Sequence, residues 1–164
     1  MTPAELTTIR EVCGLSLPQL AATMGVHERT ARYWESGQVR VPDDVVSYVV
    51  RLDAQMASAA VESAELLARA TDTDVVMIRY RTDADLHRYR VDLRGMSASM
   101  HAAMIARVRA ALLTKGVDTR IVFMEPSAYD AWRDLRPDNE CVQAAWALHQ
   151  LEGERKRSRP HPSA

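Results

Sequence analysis

Residues 16 to 44 read SLPQLAATMGVHERTARYWESGQVRVPDD, and this stretch leaves the chain few ways to fold. Two short helical patterns flank the step Gly25-Val26. Ser16 stands three residues before Gln19, so the two side chains can satisfy each other's free backbone N–H groups as a capping box. Thr2 and Glu5 repeat that arrangement at the start of an earlier helix. Gly25 supplies the left-handed backbone that a tight turn between helices often needs. His27, a less usual cap, opens a third helix reaching about Ser36, closed by Gly37 and stopped by Pro42. Leu20, Ala21, Met24, Val26, Ala31 and Trp34 form the apolar faces, and the first 41 residues are expected as a bundle of short helices.

Pro42 fits the first turn of a further helix, and the helical pattern then runs without a break to about Ala70. Val45, Val49, Leu52, Met56, Ala59, Ser63, Leu66 and Ala70 alternate four- and three-residue steps, the a/d spacing of a coiled coil. Val46, Val50, Ala60, Ala64 and Leu67 widen the stripe. Such a helix is about 42 Å long at 1.5 Å per residue, more than a small bundle needs as cover. It packs either on the second half of its own chain or along a second copy. The intermolecular alternative makes Val49, Leu52, Met56, Ala59 and Leu66 dimerisation residues, with Val76 and Ile78 joining from a β-prone edge.

Beyond residue 71 the pattern changes. Val75-Val76-Met77-Ile78 and Ile121-Val122-Phe123 are β-prone, and Ser97 to Lys115 between them is helical, with Gly116 as its stop. Strand, helix, strand predicts a small α/β unit. Pro126 opens a helix carrying Tyr129 and Trp132, and Pro137-Asp138 breaks before a last helix with Val142, Trp146 and Leu151. The end, EGERKRSRPHPSA, is polar and proline-containing, as disordered segments are. The expected class is α+β, mostly α. Residues 1–41 form a helical bundle, 42–70 a linking helix, 71–152 an α/β dimerisation or partner-binding domain, and 153–164 a disordered basic tail.

Composition narrows the function. The formal net charge is −1, and within residues 1–41 Arg10, Arg29, Arg32 and Arg40 are matched by Glu5, Glu11, Glu28 and Glu35. Cys13 and Cys141 form no CxxC pair and follow no export signal, so free thiols in a cytoplasmic protein are expected. No apolar run approaches the ~20 residues of a membrane span. His87, His101, His149 and His161 show no metal-ligand spacing, and neither a Gly-rich phosphate loop nor a nucleophile elbow is present. Neither metal, cofactor nor catalytic activity is expected.

Two capped helices joined by a glycine turn are the sequence form of a helix-turn-helix, which lays its second helix in the DNA major groove. Ile9-Arg10, Leu15-Ser16, Leu20-Ala21, Gly25-Val26 and Arg32-Tyr33-Trp34-Glu35-Ser36-Gly37 make this segment similar to the lambda and 434 repressor, or Xre-type, domain. More narrowly, MTPAELTTIREVCGLS and YWESGQVRVPDDV resemble the YdiL-like and anti-CRISPR-associated autorepressors. The resemblance spans residues 1 to about 52 and, more weakly, 74 to 123. It implies a lambda-repressor-like bundle, a homodimer on an inverted-repeat operator, and repression by promoter occupancy.

Carried over position by position, the resemblance makes Leu17, His27, Glu28, Arg29 and Tyr33 base-facing, with Ser16 at the start of the second helix. Arg32 lies one turn beyond Glu28 and is in reach of a base edge or a phosphate. Ser36, Gln38 and Arg40 fall where the family clamps phosphate. The fork of Arg29 matches the O6 and N7 acceptors of guanine, and Glu28 can accept from a cytosine amine or serve the helix dipole. Glu28 and Leu17 both depart from polar residues common in the phage repressors.

A second basic stretch, RYRTDADLHRYRVDLR, interleaves Arg79, Arg81, Arg88 and Arg90 with Tyr80, His87 and Tyr89. That mix suits phosphate contact and base stacking, unless Asp83, Asp85 and Asp92 neutralise it. Two other functions fit the same chain: an antitoxin whose second half binds a toxin protein, and a regulator that also binds RNA.

Overall fold

The computed structural model describes residues 1–70 and 75–157. Within them the chain is mostly helical, with one small parallel sheet. Four helices come first: α1 (Pro3–Val12), α2 (Leu17–Thr23), α3 (Glu28–Glu35) and α4 (Asp43–Ala70). There follow β1 (Val75–Arg79), α5 (Asp83–Tyr89), a 3₁₀ turn (Val91–Leu93), α6 (Ala98–Thr114), β2 (Thr119–Phe123), α7 (Pro126–Arg133) and α8 (Glu140–Arg157).

Local chemistry sets the ends of the early helices. Thr2 with Glu5 and Ser16 with Gln19 form complete capping boxes. The α2 helix closes in a Schellman turn: Gly25 N–H donates to Ala22 and Val26 N–H to Ala21, with Gly25 at φ +65°. That turn directs α3 away from α2 while Leu20, Ala21, Ala31 and Trp34 stay in one core. Leu6, Cys13, Leu15, Val41, Val45, Val49 and Met56 complete this core, and Met100 of α6 joins it.

The second half rests on α6. The strands β1 and β2 run parallel, in register from Val75 opposite Thr119 to Arg79 opposite Phe123. A parallel pair needs a long crossover, and α5, the 3₁₀ turn and α6 provide it. Ala60 and Ala64 of α4 meet Val108 and Leu112 of α6 under Val75. On the far side Tyr80, Leu86, Tyr89, Met124, Tyr129 and Trp146 form a third core. Tyr129 sets its ring edge-on to both Tyr89 and Trp146, at centroid distances of 5.3 and 5.6 Å.

Several expectations are corrected here. Val49 and Met56 are not available as dimerisation residues, because both are buried in the first core. Leu52 packs against the same core, and Val76 and Ile78 pack against the third. The buried positions of α4, Val45, Val49, Met56, Ala60 and Ala64, follow a straight helix of 3.6 residues per turn more closely than a 3.5-residue supercoil. Most of the long stripe is therefore covered within the chain by α1 and α6. Of the seven residues proposed, Ala59 stays partly exposed and Leu66 is 67% exposed. The β-prone segments pair with each other within the chain. At the far end α8 continues to Arg157, so the backbone of residues 153–157 is helical and not a tail. The rest of the basic end, with Arg159, lies outside the described residues. Among the described residues, no helix is long and apolar enough to cross a membrane.

Candidate nucleic-acid interface

The solvent-facing side of α3 follows from its spacing. At 100° per residue, Glu28, Arg29, Arg32, Tyr33 and Ser36 share one arc, while Ala31 and Trp34 point inward and are buried. Glu35 flanks the inner side and accepts from Arg10 Nε at 2.6 Å. Arg10 also donates Nη1 to the Leu15 carbonyl at 2.8 Å. With side chains 12% and 17% exposed, this pair ties α1 to the last turn of α3. Sequence reasoning assigned no role to the pair, although both residues sit in the segments that resemble the repressor domain. They position α3 and do not face its outer arc.

On the arc itself the charges are tied locally. Arg32 pairs with Glu28 one turn earlier. Arg29 Nε donates to the Tyr33 hydroxyl, and its guanidinium lies 5.4 Å from the centre of that ring. These exposed contacts are of small energetic worth, so exchange for base or phosphate acceptors is cheap. His27 caps α3 through Nδ1, which accepts from Arg29 N–H at 3.2 Å. The Ser36 hydroxyl donates to the Tyr33 carbonyl. Gln38 is exposed, and Arg40 is 86% exposed beside Asp43, at 3.1 Å.

Not every candidate stands on this surface in the same way. Leu17 is partly buried against the first core. Ser16 spends its hydroxyl and its N–H on the capping box with Gln19. The arc and its edge thus bring together His27, Glu28, Arg29, Arg32, Tyr33 and Ser36, with Gln38 and Arg40 along the following segment.

The second basic stretch is arranged differently from its expectation. Arg81 pairs with Glu125 and Arg88 with Asp130, both at 2.8 Å. Arg90 holds Asp92 through Nε and Nη2 and reaches Glu140 at 2.7 Å. Arg79 and Arg81 lie over the Phe123 ring, at 5.5 and 3.8 Å. Of the three aspartates expected as partners, Asp92 alone pairs with an arginine. Asp83 instead accepts from Ala98 N–H at the start of α6, and Asp85 accepts from the Thr82 hydroxyl. Arg81, Arg88 and Arg90 are thus each paired with a carboxylate, whereas Arg79 is exposed and rests on Phe123.

No protein-family model matches this chain, and no curated protein matches it either.

Proposed function

We propose that this chain is a sequence-specific, DNA-binding transcriptional regulator, a binding protein and not an enzyme, acting as a homodimer at an inverted-repeat operator. The observation that carries this reading is the exposed arc of α3, held by the Schellman turn at Gly25 on one side and the Arg10–Glu35 pair on the other. An arginine fork, a tyrosine and a carboxylate on one rigid helix suit major-groove edges. Arg29 is assigned to a guanine, and Arg40, with Ser36 and Gln38, to phosphate. Repression of its own promoter is the form of control that the resemblance to the autorepressors implies.

The dimer seam proposed here differs from the stripe that is spent inside the chain. Val50, Ala54, Ala57 and Val61 repeat four- and three-residue steps on the outside of α4, and all four are exposed. A second copy packed there joins two α3 helices through a rigid connector, as paired half-sites about one helical turn apart require.

The test uses duplexes tiled across the region upstream of the chain's own coding sequence, read by fluorescence anisotropy. Arg29→Ala should cost about 1–3 kcal/mol per half-site and relax preference at one operator position. Arg40→Ala should weaken all sequences alike and lower the salt slope by roughly one unit for each phosphate it no longer neutralises. Wild-type affinity and preference in both variants would overturn the assignment of α3.

A further inference from the structure

A cleft of about 470 Å³ opens between α4, α6 and β1, with Glu140 at its rim. Its walls are Leu66, Leu67, Met77, Met104, Ile105 and Val108. A smaller hollow of about 230 Å³ shares Leu67, Met77 and Ile105 and reaches Tyr80 and Gln143. Arg90, His101 and Glu140 border both spaces. The volume lies within the range of small-molecule sites, which combine apolar walls with a few convergent polar groups.

The polar end has a defined chemistry. Asp92 grips Arg90 through Nε and Nη2, which fixes the plane of the guanidinium. Glu140 completes the pairing from the first turn of α8, and its own side chain is 71% exposed. Among the described residues, Arg90 Nη1 makes no hydrogen bond. His101 is 8% exposed, and its Nδ1 has no partner among the described residues, an uncommon state for a buried polar atom. Among the described residues, Arg90 is the one that brings a permanent positive charge to the cleft. A ligand ammonium would have to sit beside that guanidinium, whereas a carboxylate can take over the place of the exposed Glu140.

We propose that this cleft binds a small monocarboxylate with an apolar body, its carboxylate displacing Glu140 from Arg90 and its body lying along the Met77, Met104 and Val108 wall. The exchange conserves charge, because one carboxylate leaves as another arrives. The planar fork of Arg90 offers the incoming group Nη2 together with Nη1.

The experiment uses the full chain with methyl-labelled methionine and decanoate as the probe. Met77, Met96 and Met104 line the cleft, while Met24 and Met124 are not among its lining residues and serve as internal controls. Decanoate should shift the three cleft methyls saturably, and 1-decanol should bind at least tenfold more weakly. E140Q removes the competing carboxylate and should tighten decanoate binding at least threefold. R90Q should abolish the preference for decanoate over decanol. Absence of saturable shifts, equal binding of decanol, or unchanged affinity in E140Q would each overturn the proposal. None of these readings involves DNA, so the outcome is independent of the proposed operator binding.

Discussion

Arg29 and Arg90 show how differently one residue type is used in the two halves. Arg29 lies on an exposed arc with a tyrosine hydroxyl as its partner, free to be exchanged. Arg90 is clasped by two carboxylates, and its charge bears on its neighbour. His101, buried near Arg90, has its imidazole drawn down to about 4 from the ordinary 6.5, first by burial and then by the Arg90 charge. The unfolded chain gains this proton as pH falls through 6.5, whereas the folded chain resists until about 4. The contribution to stability is therefore complete above 6.5 and declines through that window, by up to roughly 3 kcal/mol. Urea denaturation at pH 7 and pH 5 should show a loss in the wild type that is smaller in His101→Gln by about 2 kcal/mol. An equal loss in both proteins would show that His101 does not titrate in this way. The burial of Trp34 and Cys13 is readable in the sequence, because each falls on an apolar helical face. The partners of Arg81 and Arg88 are not, because Glu125 and Asp130 come from a segment more than 40 residues away that only the fold brings near.

At the scale of elements, helix boundaries are the most legible feature. Capping boxes, prolines at first turns and glycines past last turns all act within a few residues, so α1 to α3 and α6 begin and end, and α4 begins, where those signals lie. What a helix packs against is less legible. The stripe on α4 has the same spacing whether its cover is a second copy or its own α6, and the choice rests on contacts such as Ala60 and Ala64 against Val108 and Leu112. The glycines permit a comparison. Gly25 has φ +65° and nothing within 4 Å of a would-be Cβ, whereas Gly14, also at +65°, would place that atom 2.3 Å from the Ser99 carbonyl oxygen. Gly25→Ala should cost about 1–2 kcal/mol from backbone strain alone. Gly14→Ala must also push α6 away, so it should cost more and break the 2.7 Å bond from the Ser99 hydroxyl to the Gly14 carbonyl. Thermal unfolding of the two variants checks the order, and the reverse order would contradict the observed packing.

Across the whole molecule, α6 is the common member: Met100 reaches the first core, Ala98 the third, and Val108 and Leu112 the one between. The α1–α3 bundle is thus anchored on both α4 and α6. Dimerisation through the outer stripe of α4 predicts a mass about twice 18.4 kDa by light scattering at micromolar concentration. Val50→Glu combined with Val61→Glu should return the monomer without loss of helicity. A monomeric wild type, or an undisturbed dimer in the double variant, would remove this seam.

Whether two α3 helices in a symmetric pair read DNA is decided by selecting bound fragments from the organism's own genome. The recovered fragments should share an inverted repeat, with half-sites about one helical turn apart, and include the promoter of the chain's own gene. A repeat that loses its preference at one position of each half-site on selection with Arg29→Ala would tie that preference to α3. Fragments with no common sequence, or with a single unpaired site, would contradict the account.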